Sequence, residues 1–265
     1  MSNSFIIGQY VPSDSVIHRL DPRTKITLIF FFVIFIFFAN NILSYGMLAF
    51  FAISSAIATK VKPIYILKGL TPVWFLIIFT LLLHVLVTKD GEVLFRILSY
   101  PVYSEAIIQG FAISLRFFLL ILVTSLLTFT TTPIEITDAI ESLLHPLKKV
   151  KFPVHELALM MSISLRFIPT LMQETEKISK AQSSRGVDFT SGPIKDRLQA
   201  VVPLLIPLFV SAFKRAEELA MAMEARGYQG GEGRTKLREL KFTLRDFYVV
   251  VYFIVIIVFL FFTRS

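Results

Sequence analysis

Apolar residues along this chain fall into long blocks separated by short polar breaks. Ile26–Ala39 (ITLIFFFVIFIFFA) carries no polar side chain beyond Thr27. Asn40-Asn41 interrupts, and Ile42–Ala58 resumes the run. Asn tolerates the left-handed backbone of a tight turn, so the break predicts two spans in a hairpin rather than one long helix. The first block is short for a crossing at about 1.5 Å rise per residue. Its helix is therefore expected to begin near Pro22, with Asp21 as N-cap and Pro at the first helical position. Pro72–Val87 predicts a third span, Ala106–Phe129 a fourth and Phe242–Phe262 a fifth. Thr88–Glu105 mixes charge with Gly91 and Pro101 and predicts a loop, with a short interfacial helix around Val93–Leu98.

The stretch from Thr131 to Lys241 has a different pattern. Thr132-Pro133-Ile134-Glu135 is a capping box and predicts a short helix, Pro133–Leu144, ended before Pro146. A second helix is expected from Pro153 to Ser184, kinked at Pro169, and a third from Pro193 to Ala225, kinked around Pro203 and Pro207. In the third, Ile194, Leu198, Val201, Leu205, Leu208, Ala212, Ala216, Leu219 and Met223 form one apolar stripe at steps of three and four. The next step reaches Arg226, while Lys214, Arg215, Glu218 and Glu224 fall on the solvated face. Ala212, Ala216 and Ala220 recur every four residues, and such small side chains let another helix cross at close range. The line Leu171, Thr175, Ile178, Gln182 of the second helix is the matching face and leads to Arg185. Two apolar patches here, Leu157–Met172 and Leu198–Phe213, are read as surface helices rather than crossings. A crossing at the first would put Arg166 near mid-bilayer, at about 2.5–3.5 kcal/mol, and strand Lys177, Lys180, Arg185, Lys195 and Arg197 on the outer side.

Composition agrees with a membrane protein. The 265 residues are 55% hydrophobic with 27 Phe and one Trp, and mean hydropathy is +0.70. The fold class expected is all-α, with about five transmembrane helices and three cytoplasmic-face coupling helices, the last two long, kinked and crossing. The corresponding divisions are a four-span bundle at 1–130, a coupling-helix module at 131–241 and a fifth span at 242–265. There is no Cys, which excludes disulfides, thiolate catalysis and Cys-ligated metal. Four scattered His argue against a His-based metal cluster. Net charge is +8; in a membrane protein this reflects the positive-inside rule, and no nucleic-acid partner is expected. Arg19, Arg23 and Lys25 precede the first span, and Lys60, Lys62 and Lys68 lie between the second and third. The outer loop holds only Lys89 and Arg96, and the tail only Arg264. The N-terminus is therefore expected in the cytoplasm of a multi-pass cell-membrane protein. Met1–Lys25 lacks a secretory signal's short apolar core and cleavage pattern and reads as the approach to an uncleaved span.

The two long helices share an ending. Ser184-Arg185-Gly186 and Ala225-Arg226-Gly227 each close a helix, with Glu176 and Glu217 nine residues before the arginine. Ordinary capping explains one such end: Gly takes the left-handed position and Arg complements the helix dipole. Two matched ends on paired helices point further, to arginines that plug carboxylate-bearing grooves of two related partner subunits.

With these motifs in place, the chain resembles the transmembrane T component of energy-coupling factor (ECF) transporters, importers of vitamins and metal ions. The likeness rests on Leu20-Asp21-Pro22-Arg23-Thr24-Lys25 before the first span, Thr132-Pro133 at the first coupling helix and the two X-Arg-Gly ends, the first with Ser in place of the common Ala. The resemblance implies that each Arg-Gly end docks in one of two ABC-type ATPases. It also implies that the chain holds a substrate-binding S component and transmits ATP-driven motion to it. No cofactor is implied. Gly227–Thr235 (GYQGGEGRT) only superficially resembles a Walker A loop: its spacing is off by one, Arg replaces Lys and no strand precedes it. ATP hydrolysis by this chain is not expected. Two other classes remain open. A self-sufficient secondary transporter or channel would need binding residues near the midplane or broken helices; His84 and Arg116 are the notable intramembrane polar groups. A membrane enzyme would use Asp138, Glu141, His145, His155 and Glu156, with Glu141 and His145 four apart on one helix.

Overall fold

The computed structural model describes residues 10–97, 100–187, 189, 193–230 and 240–263. They form nine α-helices among the described residues: α1 (Pro22–Phe35), α2 (Ile42–Ala58), α3 (Pro63–Gly69), α4 (Thr71–Val87), α5 (Ser104–Thr130), α6 (Pro133–Leu144), α7 (Val154–Ser184), α8 (Ile194–Ala225) and α9 (Leu244–Thr263). The chain divides into two compact units, Met1–Ala139 with Glu239–Ser265, and Ile140–Arg238. The protein is an all-α membrane protein whose helices include four long and apolar enough to cross a bilayer, or five if the bent pair α3–α4 counts as one. α7 and the Gln199–Ala225 part of α8 meet that length and composition test.

By length and composition α1 and α2, expected to cross, are not among the four candidate spans, whereas α7 and α8, expected on the surface, are; two elements also differ in local structure. Val93–Ile97 is not helical: it is strand β1, paired antiparallel with β2 (Tyr100–Tyr103) in a two-stranded sheet. Leu98 lies outside the described residues. β-Branched and aromatic residues dominate both arms, which suits a pleated pair better than one helical turn, and Pro101 is tolerated because the sheet has only edge strands. The Asn40-Asn41 break also works differently. Asn41 is extended (φ −109°) rather than left-handed, and its side-chain amide donates to the carbonyl of Thr263 (3.1 Å) at the end of α9.

The first unit packs α1, α2, α5 and α9 around Phe32, Ile36, Leu48, Leu119 and Leu260, all fully buried. Phe51 of α2 is central, with ring centroids 5.8 Å from Phe32 and 5.0 Å from Phe253. Such tilted and offset contacts are favoured aromatic geometries. Helix lengths then create a problem. α1 has 14 residues and is followed by a 3₁₀ turn of three, together about 27 Å. α5 has 27, about 40 Å. The α1–α2 hairpin therefore turns beside the middle of α5, where Ala39 is fully buried and its carbonyl needs a donor from the protein. Arg116 of α5 supplies the donor: its Nη2 bonds the Ala39 carbonyl (3.3 Å) and the Tyr45 hydroxyl (2.7 Å), with the guanidinium over the Phe37 ring. His84 turns inward on its own helix, Nδ1 lying 3.0 Å from the Thr80 carbonyl.

The segment ahead of α1 is a knot joining three helices. Asp21 caps α1 by accepting from the Arg23 amide (2.8 Å), and its own amide donates to Asp246 of α9 (2.8 Å). Asp246 also accepts from the Thr243 amide and hydroxyl at 2.8 and 2.7 Å, reaching back from the first turn of α9 to its N-cap residue as the acidic member of a capping box does. Arg23 pairs with Asp21, bonds the Leu240 carbonyl (3.0 Å) and covers the Phe242 ring. Lys25 is buried and donates to the Thr130 carbonyl (2.9 Å) and Thr131 hydroxyl (3.2 Å) at the end of α5, where a cation also meets the negative end of the helix dipole. Asp246→Ala would orphan the buried Asp21 amide and take the acceptor from the Thr243 amide at the start of α9. We expect destabilisation of about 1–3 kcal/mol, read as a lower melting temperature of the detergent-solubilised chain, with Asp246→Asn affected less because it keeps an acceptor.

Candidate functional site: two arginine-glycine helix ends

The second unit is built on α7 and α8 with the last residues of α6, whose start belongs to the first unit. The capping box at α6 forms as its residue types require: the Thr132 amide donates to Glu135 (3.0 Å) and the Glu135 amide to the Thr132 hydroxyl (3.4 Å). α7 and α8 run unbroken through Pro169, and through Pro203 and Pro207. They pair antiparallel along much of their length. Ile163, Phe167 and Leu171 of α7 and Ala212, Ala216 and Ala220 of α8 line one cleft of about 290 Å³, so the alanine stripe faces α7. The side chains of Ile194 and Leu198 lie outside the described residues.

Polar side chains fix this pairing, and the sequence pattern did not reveal them. Arg215 is not on a solvated face: its Nη2 pairs with Glu174 of α7 (2.8 Å), and the Ser211 hydroxyl donates to the same carboxylate. Ser211 and Arg215, four apart, share one face, but nothing local names Glu174 as their partner. Gln182 has a clearer cause. Pro207 has no amide hydrogen, so the carbonyl four residues back, at Pro203, loses its intrahelical donor. The Gln182 side chain donates to that carbonyl (3.4 Å). One of the two polar members of that line is thus explained by a proline on the facing helix.

Both helix ends adopt the same backbone. At the end of α7, Arg185 is the C-cap and Gly186 is left-handed (φ +89°). The Gly186 amide bonds the Ser183 carbonyl (3.0 Å) and the Val187 amide bonds Gln182 (3.1 Å). At the end of α8, Arg226 is the C-cap and Gly227 has φ +73°. The Gly227 amide bonds Glu224 (2.9 Å) and the Tyr228 amide bonds Met223 (3.0 Å). Each is a complete Schellman motif. Ser184 and Ala225 are the last residues of their helices; the Ser184 hydroxyl turns back to the Lys180 carbonyl (3.0 Å). Arg185 and Arg226 are both exposed, so Arg226 does not continue a buried stripe. Among the described residues neither guanidinium forms an ion pair. Of the upstream glutamates, Glu176 pairs with Lys180 (2.6 Å) and Glu217 is exposed.

The candidate metal or acid–base residues separate. Glu141 meets His155 (3.2 Å), on α7, rather than His145. Among the described residues no three of His, Cys, Asp and Glu come together as a metal site. The glycine-rich run Gly227–Thr235 passes beyond residue 230, outside the described residues. For the two caps, an added Cβ on Gly186 or Gly227 meets no atom within 4 Å, so the cost of alanine is the left-handed backbone alone. Gly186→Ala and Gly227→Ala should each cost about 1–2 kcal/mol. Hydrogen exchange should quicken locally at the Val187 or Tyr228 amide, with the helix centres unchanged.

Comparison with known proteins converges on one family. A family model described as CbiQ, cobalt transport protein, matches residues 13–237. The chain is 61% identical to the energy-coupling factor transporter transmembrane protein EcfT of Bacillus subtilis (strain 168) over 265 residues, all of both chains. It is 52% identical to the protein of that name from Brevibacillus brevis over 258 residues, 97% of each. The corresponding Listeria innocua protein is 49% identical over 265 residues, all of both chains. Those full-length likenesses, on an all-α membrane fold with paired Arg-Gly ends, place the chain in the EcfT family of transmembrane energy-coupling components of ECF transporters.

Proposed function

We propose that this chain is the subunit of an ECF-type ABC importer that docks two ABC-type ATPases through Ser184-Arg185-Gly186 and Ala225-Arg226-Gly227. The observation that carries the reading is the duplication: two Schellman ends with the same hydrogen bonds, each presenting an exposed arginine without an ion-pair partner among the described residues. In both, glycine satisfies the helix-end carbonyls, which frees the guanidinium for a planar, two-pronged contact with a partner carboxylate. Two like plugs fit two like sockets.

In this reading nucleotide-driven closure of the ATPases moves both ends. The α7–α8 pair, crossing at Ala212, Ala216 and Ala220, passes that motion to an S component that binds a vitamin or other micronutrient. The excess of Lys and Arg before α1 and around α3 supports a cytoplasmic N-terminus. The same side would hold α6, α7 and α8 at the membrane surface. Exposed Lys177, Lys214, Glu217 and Glu218 are costly facing lipid and ordinary at an interface.

Charge reversal tests the docking directly. Arg185→Glu with Arg226→Glu should reduce recovery of co-expressed ECF ATPases with the tagged chain by at least about tenfold, since breaking such a contact costs on the order of 2–5 kcal/mol. Each single substitution should lose part of it. Recovery equal to wild type from the double variant would overturn the reading.

A further inference from the structure

The residue that follows each Arg-Gly pair differs in chemistry: Val187 after the first, Tyr228 after the second. Tyr228 is half-buried, and its hydroxyl lies 3.4 Å from Nε2 of His155 in the first turn of α7. The other ring nitrogen, Nδ1, lies 3.2 Å from Glu141 of α6. The neutral ring can serve both contacts. Nδ1–H donates to the carboxylate, which leaves Nε2 as the acceptor for the tyrosine O–H. A chain of hydrogen bonds thus runs from the end of α8, through the start of α7, to α6. At the opposite end of the antiparallel pair, Gln182, three residues before Arg185, bonds the Pro203 carbonyl of α8. Each Arg-Gly end is therefore tied beside its cap to the other long helix.

We propose that Tyr228 is a positioning residue: through His155 and Glu141 it ties the Arg226-Gly227 end to α6 and α7. With Gln182 at the other end, it cross-braces α7 and α8 so that the two Arg-Gly ends keep a fixed separation. The inference rests on the reading of those ends as docks for what the separation is for, but not for whether it is fixed. Two plugs that serve a pair of sockets transmit displacement only if the body between them does not yield. The Glu174–Ser211–Arg215 contacts hold the middle of the α7–α8 pair, and the bond to one ring nitrogen holds its Arg226 end, which non-directional apolar contacts alone leave free to shift.

The chain has no cysteine, so spin labels can be placed at will. In the full-length chain in lipid nanodiscs, Ser183→Cys and Gln229→Cys put one label beside each arginine, and double electron–electron resonance reads their separation. The expected result is a narrow wild-type distribution that at least doubles in width with Tyr228→Phe, which keeps the ring and removes only the hydroxyl. His155→Ala should broaden it as well. The combined variant should be no broader than His155→Ala alone, because both act through one connection. A wild-type distribution as broad as that of Tyr228→Phe, or additive broadening in the combined variant, would overturn the proposal. ATPase recovery by Tyr228→Phe should stay within about twofold of wild type, as for loss of one neutral hydrogen bond away from the contact; loss as deep as that of the charge-reversed chain would make Tyr228 part of the dock and also overturn it. Failure of the docking reading is scored separately, by the charge-reversed chain, and leaves the label distances interpretable.

Discussion

A backbone carbonyl or amide that leaves its helix away from water must find another partner, and this requirement governs the polar side chains of the structure. Lys25 serves the end of α5 at Thr130. Asp246 serves the starts of α1 and α9. Arg116 serves the turn after α1 and Gln182 the carbonyl released by Pro207. In each case a charged or amide side chain that looks out of place in an apolar run completes a hydrogen bond the fold itself opened. Arg116 is the clearest example. An arginine within a span invites a transport role, yet its position follows from the 14-residue length of α1 and the need to cap a turn beside α5.

The two Arg-Gly ends are the exceptions, and this distinguishes them from capping arginines in general. At an ordinary helix C-terminus the guanidinium can turn back on the last carbonyls. Here left-handed Gly186 and Gly227 bring the next two amides onto those carbonyls. Backbone bonds thus do the work that side chains do elsewhere in the molecule, and the exposed arginines carry no such duty. A helix end completed by its own backbone in this way holds its last turn without help from the arginine side chain.

The legible parts of the chain were those specified by local chemistry. Asp21-Pro22, the Thr132–Glu135 capping box and the two Arg-Gly stops are each decided within a few residues, and the structure places α6, α7 and α8 within one residue of the expected limits. Helical periodicity gathers Ala212, Ala216 and Ala220 on one face, and all three line one cleft with α7, where Ala216 and Ala220 are exposed. What escaped depends on partners far along the chain. Arg215 looks solvated beside Lys214 until Glu174 is brought to it. Tyr228 looks like a loop residue until His155 is found behind it. The hairpin at Val93–Tyr103 escaped for another reason: a short apolar run of either period suits one helical turn or one strand, and only its pairing with the second arm decides.

This division bears on how α7 and α8 are held together. A stripe of alanines and a facing row of Ile163, Phe167 and Leu171 gives proximity, and proximity in apolar contact leaves translation along the helix axes weakly opposed. The Glu174–Ser211–Arg215 cluster acts between the two ends, and the Gln182–Pro203 and Tyr228–His155 contacts act near them. Three directional contacts spaced along an antiparallel pair fix its register, which one contact of the same strength would leave free to pivot. The residues hardest to read from sequence are thus the ones that make two periodic helices into a single body.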